Sequence, residues 1–461
     1  MFADWGDVNW TNTWTEHVMD TVLPSEKLVV FDPVQLELVG GEKFVIDKIA
    51  GVLRPDDKSI TKLRLETLRF QFDYRDWDVR SCLHAVLPSH LDFSGFSQVG
   101  HIAHLNLHEE LLPYKFAIAE ILLDKISSIR TVVNKLNAIN NEFRFFEMEL
   151  LAGEPNYITT AIEDGNKYRM DFSKVFWNSR LSNLHSWITQ QFDARSVVFD
   201  VFAGIGPFVI PAVRKRNALR CYANDLNSVS IDYLRENISL NKIPADTIET
   251  FNMDGAVFIK KIIPEKLNYF AKSTLQTAEN VVNNNVCAEN DLSFYVVMNL
   301  PCLSVEFLRH FLGFLHDYSE LRDYFDSHPF IIYCNLFIKA KEEHSRDWYK
   351  EQAAELVRDR LHLPNLEIKE IHYVRQVSVN KEQLCVVFRM PTECAFNLPP
   401  STLNDTCNQK ESNDNQNYIS SASLDGNQST NTSSINRDVS LSIRQVDVDL
   451  DVKAAKISRI M

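Results

Sequence analysis

No stretch of this chain approaches the ~20 consecutive apolar residues that a membrane-spanning helix needs, so a membrane protein is not expected. The opening lacks the basic-then-apolar pattern of a secretory signal. Its first thirty residues hold no arginine and one lysine, but include Asp4, Asp7, Glu16, Asp20 and Glu26. A mitochondrial transit peptide is Arg-rich and poor in acids, so that reading is also disfavoured. The eight cysteines contain no C-x-x-C pair, and several lie in apolar runs. They read as reduced core thiols of a cytosolic or nuclear protein, with no zinc or other metal expected. No internal repeat is present, and from Ser401 onward the only aromatic is Tyr418.

The 461 residues suit two or three domains, and 45% hydrophobic with 24% charged residues is the balance of a folded soluble protein. Lys+Arg 48 against Asp+Glu 62 leaves a net charge of −14. That excludes a generally basic nucleic-acid-coating protein, though not a local basic face on an acidic body.

Residues 191–400 alternate between two periodicities. Ser196–Phe202 is a short, almost wholly apolar run, as in a strand buried on both faces of a parallel sheet. Leu219–Asp225, Ile248–Met253, Phe294–Leu300 and Phe330–Phe337 repeat it. Helices are expected between them at Pro207–Arg216, Val229–Asn241 (capped by Ser228), Ala256–Ile263 and Val305–Tyr318. Ile368–Val379 and Gln383–Arg389 have only Asn380-Lys381-Glu382 between them and should form an antiparallel hairpin. The expected fold is thus α/β, a mostly parallel Rossmann-like sheet with the terminal hairpin of class I methyltransferases. The polar stretch Lys266–Asp291 reads as a surface insertion. Upstream, two small α/β units are expected over 1–95, with a loosely ordered start, and 96–190. Residues 401–461 read as a disordered tail with a weak helical patch near Val452–Ile460.

The chemistry-bearing residues fall at successive strand ends. Asp200-Val201-Phe202-Ala203-Gly204-Ile205-Gly206 follows the first strand and opens a helix, where glycines allow close backbone approach to a ligand. The third glycine of a dinucleotide fingerprint is missing, which favours S-adenosylmethionine over a nicotinamide cofactor. Asp225 ends the second strand, placed to accept ribose hydroxyls, and Asp254 ends the third, placed for an adenine amino group. Each alone is as good a helix cap as a ligand contact; together on one sheet edge they favour a ligand site. Asn299-Leu300-Pro301-Cys302 ends the fourth strand. With cysteine in place of the aromatic that amino-group methylases stack on a base, it points to attack by a ring atom. Phe172–His185 adds Arg180, a guanidinium suited to stabilising negative charge on a substrate oxygen.

Gly100–Leu107, Ser128–Lys135, Phe172–Arg180, Asp200–Phe208 and Met298–Pro301 together resemble the eukaryotic tRNA (guanine-37-N1)-methyltransferases, over about Lys43 to Pro391. The resemblance implies methylation of N1 of the guanosine next to the anticodon, with S-adenosylmethionine as cofactor and tRNA as partner. It places Arg180, Asn299 and Pro301 at the target base. Cofactor contacts are implied for His185, Asp200, Gly204, Gly206, Asp225, Leu226, Asp254, Gly255 and Asn299. Where the family usually reads Thr-Glu-His this chain has Asn183-Leu184-His185, so a carboxylate beside His185 is missing. A monomer is expected, in cytoplasm and nucleus; the mitochondrial matrix is also open from the family. Two rivals remain: an aminocarboxypropyl transferase of the wybutosine pathway, and a non-catalytic RNA-binding scaffold.

Overall fold

The computed structural model describes residues 74–136, 148–273 and 292–398 in full. It describes the backbone alone of the helix Ile263–Val281 beyond 273 and of the strands Val18–Asp20 (β1), Glu26–Phe31 (β2), Ile60–Phe72 (β3) and Val448–Arg459. The chain divides into two compact units, Met1–Asp92 with Thr432–Met461, and Phe93–Asn431. The residues 96–190 and 191–400 of the two expected domains all lie within the second.

In the first unit β1 and β2 pair antiparallel, and the strand Val448–Arg459 is inserted between β2 and β3. The helical patch read near Val452–Ile460 is therefore corrected to an extended strand. Its apolar residues Val448, Leu450, Val452 and Ala454 alternate with Asp449, Asp451 and Lys453, the period of a strand and not of a helix. The rest of the tail expected to be disordered lies outside the described residues. The helix Val79–Val86 is capped by Asp78, whose carboxylate accepts the Ser81 amide at 2.7 Å.

The second unit opens with a small sheet of Ser97–Val99 (β4), Ile102–Leu105 (β5), Thr131–Lys135 (β6) and Met148–Gly153 (β7), in that order. β5 and β6 run parallel, with the helix Lys115–Lys125 between them in sequence. A hairpin follows, Ile158–Glu163 (β8) with Asn166–Asp171 (β9).

The main sheet comprises Ser196–Asp200 (β10), Arg220–Asn224 (β11), Ile248–Phe251 (β12), Ser293–Met298 (β13), Phe330–Lys339 (β14), Ile368–Ser378 (β15) and Lys381–Arg389 (β16). The spatial order is β12-β11-β10-β13-β14-β16-β15. β10 to β14 are mutually parallel, and β16 is antiparallel to both its neighbours. This is the class I methyltransferase order. Alternation along each strand feeds two cores: Val197, Phe199, Phe294, Val296 and Met298 pack on one face, Val198, Cys221, Ala223 and Val297 on the other. Doubly buried strands of this kind explain why the sequence runs are nearly continuous in apolar residues.

Three local expectations are corrected. The cap of the helix Ser228–Leu240 is Asn227, whose Oδ1 accepts the Val229 amide at 3.0 Å. The insertion read from Lys266 begins as a continuation of helix, and Leu267, Phe270 and Ala271 are buried in the core at helical spacing. Its remainder, 282–291, lies outside the described residues. The helix expected over Val305–Tyr318 is only Ser304–Phe307 with a 3₁₀ turn Leu308–Phe311. Gly313, at φ +66°, turns the chain away.

Candidate active site

The carboxyl ends of β10 to β13 form one rim, and the glycine loop stands at its centre. Gly204 (φ +52°) and Gly206 (φ +98°) both adopt backbone that favours glycine. Their surroundings differ. A Cβ on Gly206 would meet Leu234 Cδ1 at 2.5 Å, so this glycine seats the loop on the helix Ser228–Leu240. A Cβ on Gly204 would meet nothing within 4 Å: it faces open space where a ligand can approach the backbone.

Asp225, just past β11, is tied to that loop. Its Oδ2 accepts the Gly204 amide at 2.8 Å and its Oδ1 the Asn227 amide at 2.9 Å, which leaves each oxygen a further lone pair. Burial raises its proton affinity, partly offset by the Asn227 and Gly204 amides. Asp200 is fully buried and neither carboxylate oxygen has a hydrogen-bond partner. Burial drives its proton affinity well up, opposed by the nearby Phe202 amide and reinforced by the charge of Asp225. Leu226 is 41% exposed, an apolar side chain on the rim beside Asp225.

Sequence reasoning missed the residue that holds this rim together. Asn224 is buried at the end of β11, and its Nδ2 donates to Val201 O at 3.1 Å and to Met253 O at 3.0 Å. Its Oδ1 accepts the Met253 amide at 3.1 Å, so one side chain clasps the ends of β10, β11 and β12. The only signal was an amide directly before the strand-end acid. Asp254 acts as a cap: its Oδ1 accepts the amides of Ala256 and Val257 at 2.8 and 3.3 Å. Gly255 is buried, and a Cβ there would lie 2.9 Å from Phe202 and 3.0 Å from Phe307, so any larger residue would push those rings aside.

After β13, Asn299 presents a buried Oδ1 with no hydrogen-bond partner. The turn around it is fixed: Ser304 Oγ donates to Met298 O (3.0 Å) and accepts the Leu300 amide (2.9 Å), while the Phe337 amide donates to Pro301 O at 3.2 Å. Pinning the flanking main chain holds the Asn299 amide in place.

The segment Asp171–Leu181 forms an arm leading to Arg180, which is exposed on a 3₁₀ turn whose amide is capped by Asn178 Oδ1 at 3.1 Å. The arm is fastened to the rim twice. Asn227 Nδ2 donates to Lys174 O at 2.9 Å. His185, in the helix Ser182–Thr189, packs edge-on against Phe208 of the glycine loop, ring centres 5.0 Å apart. His185 is buried, and its Nδ1 meets Glu163 Oε1 of β8 at 2.7 Å. The carboxylate absent from the sequence next to His185 thus arrives from another element, 22 residues earlier. Nothing in the local sequence announces it.

A recess of about 570 Å³ lined by Asp326, Leu366, Arg389 and Thr392 lies at the other end of the sheet, before β14 and β15 begin and after β16 ends. The catalytic reading rests instead on the chemistry of the rim. Among the described residues no cluster of His, Cys, Asp and Glu is arranged to hold a metal ion, and no helix is long and apolar enough to cross a membrane.

Over 405 residues the chain is 36% identical to the tRNA (guanine(37)-N(1))-methyltransferase of Caenorhabditis elegans, covering 86% of this chain and 83% of that protein. This chain belongs to the tRNA (guanine(37)-N(1))-methyltransferase family. The family member of Candida albicans strain SC5314 is 39% identical over 393 residues, 76% of this chain and 86% of that one. Two family descriptions map onto this methyltransferase-family chain: TYW2 N-terminal domain over residues 79–156 and TRM5/TYW2 methyltransferase domain over 159–286. The crystal structure of Trm5b from Pyrococcus abyssi is 23% identical, covers 64% of this chain and 74% of its own, and superposes with a TM-score of 0.46.

Proposed function

We propose that this chain transfers a methyl group from S-adenosylmethionine to N1 of guanosine 37 in tRNA. The observation that carries the reading is the open face above Gly204, whose amide Asp225 holds at 2.8 Å, in a chain 36–39% identical to enzymes named for this reaction. Those residues fit the cofactor. The spare lone pairs of Asp225 suit ribose hydroxyls, and exposed Leu226 suits a purine face. Asp200 is a buried carboxyl without a partner whose proton affinity burial drives up, and an ammonium group brought beside it would favour its charged form. When bound, S-adenosylmethionine supplies an electrophilic methyl group.

The remaining work falls to the protein. Guanine N1 carries a proton at neutral pH and its lone pair is delocalised, so attack requires that proton to leave. Negative charge then grows on O6. Arg180 offers a guanidinium whose fixed fork of donors stabilises that charge. Asn299, with an unfilled acceptor and a pinned main chain, orients the base edge. Pro301 keeps the turn rigid beside it. His185 acts from below the glycine loop through Phe208. Asp254 and Gly255 shape the adenine end, the first by ordering the helix start and the second by admitting Phe202 and Phe307.

Labelled-methyl transfer to unmodified tRNA transcripts carrying guanosine or adenosine at position 37, followed by nucleoside analysis, tests the reading. Label on N1 of guanosine in the first transcript alone is expected. Label on an exocyclic nitrogen, equal labelling of both, or transfer of the aminocarboxypropyl group would reject it. The protein acts as a monomer in this reading, which light scattering with and without tRNA checks.

A further inference from the structure

We infer that Asn335 is a positioning residue for methyl transfer, holding the peptide unit from which Asn299 projects. The inference rests on the proposed reaction and adds to it a side chain on the neighbouring strand, 37 residues from Met298 in sequence.

Asn335 is the one amide in β14, a strand of otherwise apolar residues up to Lys339, and it is fully buried. Cys334 and Leu336 join the core on one face of the sheet, and Ile331 and Tyr333 join the core on the other. Alternation along the strand therefore puts Asn335 on the side of Tyr333. That side carries the helix that starts directly after Arg180. Trp187 of this helix meets Tyr333 edge-on, with ring centres 6.0 Å apart. Val297, two residues before Asn299, packs into the same core.

The contact that matters lies at the end of β13. Asn335 Nδ2 donates to Met298 O at 3.3 Å, and Ser304 Oγ donates to the same oxygen at 3.0 Å. Two side chains from different elements thus supply a donor for each of its lone pairs. Met298 O belongs to the same planar peptide unit as the amide of Asn299. Fixing that oxygen from two sides fixes the plane, and with it the direction in which the Asn299 side chain leaves the chain. Two residues further along β14, the Phe337 amide donates to Pro301 O at 3.2 Å. The strand therefore grips Asn299-Leu300-Pro301 at both ends, once by a side chain and once by its backbone.

Packing alone does not account for an amide here. Among the described residues Asn335 Oδ1 has no hydrogen-bond partner although it is buried, which is destabilising. Leucine has a similar shape and would fill the site without an orphaned acceptor. What leucine cannot supply is the bond to Met298 O. Asn299 Oδ1 is also unpartnered, so the group that is held keeps its acceptor for the base.

The test is a double-variant cycle read in single-turnover methyl transfer to an unmodified guanosine-37 transcript. Cofactor affinity is measured by calorimetry on each protein. Asn335→Leu should lower the rate by on the order of 10–10²-fold, the range for a slightly misplaced group at a reacting centre, with S-adenosylmethionine affinity retained. In an Asn299→Ala background the same substitution should change the rate by less than about twofold, because the group it positions is gone. Asn335→Ala, which removes the same donor from a smaller side chain, carries the cycle if the leucine variant does not fold. A wild-type rate in Asn335→Leu, or an equal loss in both backgrounds, would overturn the positioning role and leave the reaction standing. So would loss of cofactor affinity in step with the rate, the mark of a distorted sheet. A wild-type enzyme that methylates no guanosine 37 would overturn both.

Discussion

Asn237 is the residue whose loss should be most costly to the fold for its size. It is fully buried on the helix Ser228–Leu240 and makes three hydrogen bonds. Its Oδ1 accepts the Arg169 amide at 2.7 Å, and its Nδ2 donates to Arg169 O at 3.1 Å and Ile205 O at 3.3 Å. One turn later Asn241 does the same for Lys167, at 2.9 and 2.7 Å. Two carboxamides spaced by one helical turn thus imitate a neighbouring strand for the open edge of β9. Asn237→Ala leaves a buried N–H and two carbonyls without partners. At ~1–3 kcal/mol for an orphaned donor, and less for carbonyls, the cost should be about 2–4 kcal/mol. For a unit spanning Phe93–Asn431, with an unfolding entropy of about 2.1 cal/mol/K per residue, that lowers the melting temperature by roughly 3–6 °C. Asn237→Asp should be no milder, because it keeps the volume but points an anion at two carbonyl oxygens. Thermal melts followed by circular dichroism, with Asn241→Ala and the double variant, give the coupling between the two amides. If Asn237→Ala melted within about 1 °C of wild type, the strand-imitation argument would be refuted.

Arg180→Ala should lower methyl transfer by on the order of 10²–10³ with cofactor affinity retained, and Arg180→Lys should recover little of it; single-turnover kinetics beside calorimetry separate the two quantities. Glu163→Ala releases the His185 ring that it holds at 2.7 Å, so KM for S-adenosylmethionine should rise severalfold while kcat changes little, and Glu163→Gln should retain most of the affinity. Wild-type behaviour of the alanine variant would remove Glu163 from the site.

Much of this architecture could be read directly. Ser196–Asp200 is buried on both faces along its whole length, and such a strand is nearly continuous in apolar residues, so its position stands out. The Asn380 turn, at φ +54°, separates two strands too closely spaced for any crossover helix. The strand-end acids followed from where those strands stop. What stayed hidden were the contacts that join distant parts of the chain through polar side chains: Asn224 with Met253, Asn241 with Lys167 across 74 positions, and Glu163 with His185. A carboxamide or carboxylate in isolation has the same appearance whether it caps a helix, binds a strand edge or faces water. The helix through Leu267 and Phe270 was obscured for a different reason, since Glu265, Lys266, Asn268, Lys272 and Ser273 are interleaved with its buried residues and make the run read as polar.

The face-to-face stack of Trp187 on His372, 12° from parallel, gives the enzyme an optical reporter of its own. A protonated imidazole quenches the emission of an indole lying against it, whereas a neutral one does so weakly. Burial holds His372 below the ordinary histidine range, with Glu370 pulling the other way, so the indole should stay bright near neutrality and dim on acidification. Trp348 lies on His344 in the same way, ring centres 3.9 Å apart, so the part of the dimming that belongs to β15 is the part lost in Trp187→Phe.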